Sequence, residues 1–203
     1  MKTDIILAGV GGQGILSIAT IIGKAALDNG LYIKQAEVHG MSQRGGDVQS
    51  NLRISDKPIA SDLIPFGKAD IILSMEPMEA LRYINYLSPT GWIVTNSTPF
   101  INIENYPDQE AVKDELHKMD NVIYFDMDTV AKEIGSPRSS NMVLLGAASP
   151  FLNMDVNLLE NAIASVFEKK GEKIVDQNIA ALKAGRNFVL EHLKDKNYAP
   201  SFK

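Results

Sequence analysis

Ile5-Ile6-Leu7-Ala8-Gly9-Val10-Gly11-Gly12-Gln13-Gly14-Ile15 is the stretch that decides how this 203-residue chain folds. Ile5–Ala8 is an apolar run too short for a helix and rich in isoleucine, which predicts a buried strand. Gly9, Gly11 and Gly14 then spell G-x-G-x-x-G, with Gly12 as a fourth flexible position. From Ile15 to Asn29, apolar residues at 15, 16, 18, 19, 21, 22, 25 and 26 line one broad helical face, and Gly30 is placed to stop it. Leu31–Ala36 reads as a second strand. Strand, glycine turn, helix and strand in this order predict a parallel βαβ unit.

In that setting each glycine has a physical task. The first allows the tight turn, the second lets a phosphate approach the backbone, and the third lets helix and strand pack closely. The start of the helix offers free N–H groups and a partial positive charge to an anion. Gly9, Gly11, Gly12, Gln13 and Gly14 are therefore the candidate cofactor-binding residues. A close-packed turn with no ligand is the competing reading.

Further along, Val48, Ser50, Leu52 and Ile54 alternate with Gln49, Asn51, Arg53 and Ser55, the period of an antiparallel strand with one wet face, expected at a sheet edge. Ala69–Met75 reads as another buried strand. Pro77 sits at a helix start, and Met78, Leu81, Ile84 and Leu87 continue at helical spacing. Gly91–Asn96 and Asn121–Phe125 are strand candidates separated by a polar stretch with Pro99 and Pro107. Helices follow around Asp128–Ile134, Ser140–Ala148, Asp155–Lys169 and Ile174–Lys194. The expectation is an α/β fold: one three-layer Rossmann-like domain over residues 1–195, with a mainly parallel sheet, an antiparallel edge strand and a helical C-terminal third. Residues 196–203 form a short C-terminal tail.

Composition removes several classes of function. A net charge of −5 gives no basic surface to hold a nucleic-acid backbone, so no nucleic-acid partner is expected. Apolar runs such as Ile5–Val10 fall far below the ~20 residues of a membrane span, and no signal peptide precedes the first strand, so the expected location is cytoplasmic, with no membrane partner. There is no cysteine, which excludes thiolate-held iron–sulfur clusters, disulfides and a Cys nucleophile. His39, His117 and His192 lie far apart without ligand spacing, so no metal site is expected.

A second motif follows the second strand. Glu37-Val38-His39-Gly40-Met41-Ser42-Gln43-Arg44-Gly45-Gly46-Asp47 packs carboxylate, imidazole and guanidinium into a glycine-rich loop. Folding alone gives no reason for that set, and loops commonly carry function. Glu37, His39, Ser42, Gln43 and Arg44 are candidate contributing side chains, with Gly40, Gly45 and Gly46 as flexible points. A turn with solvated charges is the plain alternative. Glu37 also lies where a dinucleotide-binding protein carries the acid that holds a ribose, so a stand-alone NAD(P)-binding protein or dehydrogenase is a second functional reading.

The two motifs, Ala8–Gly14 and Gln35–Gly46, closely resemble the gamma-type subunit of 2-oxoacid:ferredoxin oxidoreductases. Ser140–Gly146 and the segment from Asn178 to Gly185 resemble it too, and the likeness runs to about Lys194. Within the family, the short single chain is most similar to the indolepyruvate branch. That resemblance implies a subunit inactive alone, contributing to a composite active site. Thiamine diphosphate and the iron–sulfur clusters belong to a larger partner subunit, which passes electrons to ferredoxin. Coenzyme A is the one cofactor this domain is implicated in receiving. The implied overall reaction converts a 2-oxoacid to acyl-CoA and carbon dioxide.

Two outcomes are expected from the motifs together with what the resemblance implies. Gly11→Val damages function more than folding, because a side chain there blocks approach of a phosphate to the backbone. Arg44→Ala leaves stability within roughly 0–1 kcal/mol while lowering turnover, or raising the Michaelis constant for coenzyme A or the oxoacid, in the assembled enzyme. A thermal melt beside steady-state kinetics checks both. Met75-Glu76-Pro77-Met78-Glu79 reads as helix capping by acids rather than acid–base chemistry.

Overall fold

The computed structural model describes residues 1–40, 45–101 and 103–195. Met41, Ser42, Gln43 and Arg44 of the second motif, and the tail 196–203, lie outside the described residues.

The apolar run at the start forms β1 (Lys2–Val10), buried from Thr3 onward. The helical face that follows forms α1 (Ile15–Asp28), with Ile15, Ile18, Ile21 and Ile22 buried. Burial of each such side chain stabilises the fold by roughly 1.5–3 kcal/mol. Gly30 ends α1 as expected, at φ 71°. Its N–H reaches Leu27 O at 3.0 Å and the Leu31 N–H reaches Ala26 O at 2.9 Å, a left-handed glycine cap. The chain continues through β2 (Tyr32–His39), β3 (Asp47–Ser55), β4 (Ala69–Ser74), α2 (Pro77–Arg82), β5 (Leu87–Asn96), α3 (Gln109–His117) and β6 (Val122–Phe125). Four helices complete it: α4 (Met127–Glu133), α5 (Ser140–Ala148), α6 (Val156–Phe167) and α7 (Glu172–Asp195).

The six strands form one sheet in the order β2-β3-β1-β4-β5-β6. β1, β4, β5 and β6 are parallel, whereas β3 runs antiparallel to both β1 and β2. Alternation along the strands separates two cores. Ile5, Leu7, Leu52, Ile71 and Leu73 face α1 and the C-terminal helices, while Ile6, Ala8, Ile72 and Ile93 face the opposite layer. The three-layer α/β reading with a helical C-terminal third is therefore the observed architecture.

Several sequence expectations need correction. The antiparallel strand β3 is not at the edge: β2 is, and β3 lies between it and β1. The polar alternates of β3 suggested a wet face, but they are covered. Asn51 Oδ1 accepts the Ile64 N–H at 3.1 Å, and Arg53 donates to Asp4 and to the Ser61 and Leu63 carbonyls. For the same reason β1 and β2 share a direction without being neighbours. The helix after Pro77 is also short, because Leu87 is used by β5, paired with Ala69 and lying over Gly91. The polar stretch between β5 and β6 contains α3, whose N-terminus is capped by Asp108 on the Ala111 N–H and which buries only Val112 and Leu116.

Candidate functional site

The ends of β1, β4, β5 and β6 and the start of β3 meet at one edge of the sheet, where parallel α/β folds place their ligands. Gly9 to Gly14 occupies the centre of that edge. The turn is built from its own side chain and backbone: Gln13 Oε1 accepts the Val10 N–H at 2.8 Å, and Gln13 Nε2 donates to Met75 O at 3.3 Å. Gln13 thus fastens the turn to the end of β4.

Gly14 stands at the α1 N-terminus with φ 78°, and among the described residues no side chain caps that helix. An ideal Cβ at Gly14 would lie 2.7 Å from Asn141 Nδ2, which donates to Gly14 O at 3.2 Å. The third glycine therefore serves contact with α5 as well as a left-handed backbone. Gly14→Ala is expected to cost about 1–2 kcal/mol from backbone conformation alone and to push Asn141 aside. Chemical denaturation of the variant measures that cost.

The two sequence motifs converge here. The Gly11 N–H donates to Gly46 O at 2.8 Å, and the Gly45 N–H donates to Gly11 O at 3.2 Å. Gly40 donates to Asp47 O at 3.4 Å, which closes the base of the second loop. Glu37 is exposed on β2, opposite Ser50 of β3. With β3 interposed, it sits two strand spacings from β1, about 9–10 Å away. A ribose clamp needs its acid on the strand beside the glycine turn, so the arrangement argues against the dinucleotide reading. His39 ends β2 in register with Val48. Ser42, Gln43 and Arg44 lie outside the described residues.

A cleft of about 260 Å³ opens beside the turn, walled by Gln13, Met75, Phe100, Asp128, Arg138 and Asn141 among others. Its floor is a polar lattice that sequence reading missed. Asn96 Nδ2 donates to Asp128 Oδ2 at 3.0 Å and Ser140 Oγ donates to Asp128 Oδ1 at 2.5 Å. Asn96 Oδ1 in turn accepts the Met127 N–H at 3.0 Å. These residues come from β5, α4 and α5, and only the folded sheet brings them together. A larger cleft of about 540 Å³ adjoins it through the shared Pro137, Arg138 and Asn141, and carries Ser17, Lys170 and Gln177. The walls mix apolar surface from Met75, Phe100, Pro137 and Phe167 with amides, hydroxyls, the Asp128 carboxylate and the cations Arg138 and Lys170.

Beyond the cleft, the Glu76–Glu79 pair behaves as the capping reading expected: Glu76 accepts the Glu79 N–H at 2.8 Å. Glu79 pairs with Arg82, yet burial pushes its carboxyl above the usual range. Burial, aided by the Asp47 and Glu79 charges, moves the Tyr83 phenol up to about 12.

Residues 4–188 match the pyruvate ferredoxin/flavodoxin oxidoreductase family. The chain belongs to that family. Indolepyruvate oxidoreductase subunit IorB of Archaeoglobus fulgidus is 36% identical to it, covering 92% of this chain and 95% of that one. The protein of the same name from Pyrococcus horikoshii is 43% identical over 71% of this chain and 75% of its own. Among solved structures, 2-oxoglutarate:ferredoxin oxidoreductase from Magnetococcus marinus, with 2-oxoglutarate, coenzyme A and succinyl-CoA bound, shares the fold with a TM-score of 0.74 at 24% identity. The match covers 99% of this chain and 32% of that longer one. The family likeness read from the two N-terminal motifs thus holds along nearly the whole sequence.

This family's chemistry involves iron–sulfur clusters and thiamine diphosphate. The chain has no cysteine to ligate a cluster. Among the described residues no group of three or more His, Asp or Glu side chains is arranged to hold a metal ion. No helix among them is long and apolar enough to cross a membrane.

Proposed function

We propose that this chain is the small subunit of a 2-oxoacid:ferredoxin oxidoreductase of the indolepyruvate type, and that its cleft receives coenzyme A. The carrying observation is the uncapped α1 N-terminus at Gly14, beside a cleft edged by Arg138 and walled by amides. A diphosphate or 3′-phosphate suits that combination of free N–H groups, helix dipole and guanidinium. The curated relatives support the substrate branch, since both carry the indolepyruvate name.

In the proposed reaction an aryl 2-oxoacid and coenzyme A give acyl-CoA, carbon dioxide, one proton and two electrons, the electrons passing to ferredoxin. Thiamine diphosphate and the clusters, held by a larger partner subunit, supply the decarboxylation and electron transfer. This chain binds and orients the thiol-bearing substrate. Gln13 and Asn141 fix the glycine turn, Arg138 neutralises phosphate, and the side chains of the Glu37–Gly46 motif serve the composite site. In that motif the guanidinium of Arg44 has the chemistry to donate in a fork to carboxylate or phosphate, and the imidazole of His39 can donate or accept a hydrogen bond.

Titrating the purified chain with coenzyme A, NAD and NADP by calorimetry tests the reading. Coenzyme A is expected to bind in preference to both dinucleotides, and Gly11→Val to abolish that binding while the variant still melts cooperatively. Tight NAD binding by the lone chain would favour the dinucleotide-binding alternative. Purified alone, the chain is expected to be colourless and free of stoichiometric iron by elemental analysis.

A further inference from the structure

β6 closes one side of the sheet, with no strand beyond it among the described residues. The Asn121 and Phe125 carbonyls accept the Ile93 and Ser97 N–H groups, each at 2.9 Å, and so face β5. Residues along a strand turn their backbone groups to alternate sides, which points those of Val122 and Tyr124 at the open edge. There the Val122 C=O and the Tyr124 N–H lie side by side, an acceptor next to a donor.

Side chains build a groove along this edge. Its volume is about 280 Å³, and Val122, Ile123 and Tyr124 all line it. Successive strand residues face opposite sides of a sheet, so three in a row share one groove only where it runs along the strand's edge. The walls come from the two layers that flank the sheet: His117 and Met119 at the end of α3, and Phe188 and His192 of α7. Phe188 is 42% exposed yet held in place, because its ring stacks on Phe125 with centroids 4.1 Å apart and planes 18° from parallel. On the α3 side the His117 ring meets Tyr124 edge-on at 5.6 Å.

Rings in both walls and a paired acceptor and donor on the strand set the chemistry of a fitting ligand. A planar ligand packs against such rings. A base with an amino group beside a ring nitrogen also answers the backbone pair, amino group to carbonyl and ring nitrogen to N–H. Adenine has that edge. The groove lies at the small end of ligand sites, which span about 300–1,000 Å³, and this suits one ring system. No lysine or arginine lines it, so a phosphate would find no counter-charge there.

We infer that the groove between α3 and α7 is a binding site for an adenine-type base or its nucleoside, read by the open edge of β6. It shares no lining residue with either part of the cleft proposed for coenzyme A, so it stands independently of that reading.

The test is an NMR titration of the isotope-labelled full chain with adenosine, and with adenosine methylated twice on its amino nitrogen, which has no amino hydrogen to donate. Adenosine is expected to bind with a dissociation constant on the order of 1 mM or tighter, moving the Tyr124 amide resonance most. The methylated analogue is expected to bind roughly tenfold more weakly or worse, because it leaves the Val122 carbonyl unanswered. Phe188→Leu keeps an apolar side chain but removes the stacking ring, and is expected to weaken adenosine roughly fivefold or more while the chain still melts cooperatively. Adenosine that leaves Tyr124 unmoved at about ten times that concentration, or that moves Gly11 to Ile15 instead, would overturn the site. Equal binding of the two nucleosides, or equal binding of adenosine to wild type and Phe188→Leu, would overturn it as well. If Phe188→Leu fails to fold, the two nucleosides on wild type decide alone.

Discussion

Gly146→Ala is expected to lower the free energy of unfolding by about 3 kcal/mol or more, at or beyond the upper end for overpacking one methyl group. α5 and α7 cross with backbones in contact. An ideal Cβ on Gly146 would lie 1.9 Å from Leu182 O, and one on Gly185 would lie 2.0 Å from Val143 O. Both obstacles are helix backbone, so no side-chain rotation relieves the clash. The helices must move apart, which loosens the packing of Val143, Leu182 and Val189, all fully buried in the main core. Gly185→Ala meets the mirror-image obstacle and should cost a similar amount. The double variant should cost less than the sum, because one separation accommodates both methyl groups. Urea unfolding of the three variants gives the numbers. A loss below about 0.5 kcal/mol for either single variant would contradict the crossing.

Arg53→Met is the second large effect, expected at about 3 kcal/mol, the lower end for breaking a buried ion pair. Asp4 has no exposed surface, and Arg53 meets it in a two-pronged contact, Nε to Oδ1 at 2.8 Å and Nη2 to Oδ2 at 3.0 Å. Lys2 also reaches Asp4 at 2.7 Å, but it is largely exposed and offsets only part of the loss. The variant further strands the Ser61 and Leu63 carbonyls that the guanidinium satisfies. Removing the charge as well, in Asp4→Asn/Arg53→Met, should recover part of the stability, and the four proteins form a double-mutant cycle. Coenzyme A binding should not change in any of them, since Lys2 and Ser55 mark the end of the sheet opposite the glycine turn.

The N-terminal half of the site was legible because its signals are local. Glycines at fixed spacing between an apolar run and a helical face dictate a turn at a helix start, and the fold places it there. The glycines of the second loop were equally legible, although their hydrogen bonds to Gly11 were not. The position of β3 was hidden because alternation reports which residues are polar and not what covers them. Asn51 and Arg53 look solvated until the segment carrying Ile64 lies across them. That Asn96, Asp128, Ser140 and Asn141 share one cleft was illegible for a different reason. Each is an ordinary polar residue at the end of an element, and only sheet order makes them neighbours. Ser140–Gly146 and Asn178–Gly185 resemble the family, and the close backbone crossing at Gly146 and Gly185 is a physical reason for glycine in both segments. Glu76 was read as a cap, which it is, but its ties to Phe100 and Tyr106 span 24 and 30 residues, beyond any local pattern.

The central claim is that this chain completes a composite site which its partner cannot form alone. Reconstitution from separately purified subunits measures it most directly, following ferredoxin reduction with indolepyruvate and coenzyme A. The partner alone is expected to turn over slowly or not at all, and titrating in this chain should restore the rate to a plateau at a fixed ratio of subunits. Gly14→Ala should reach a lower plateau or require more coenzyme A. Full turnover by the partner without this chain, or oxidation of a substrate with NAD by this chain without the partner, would contradict the claim.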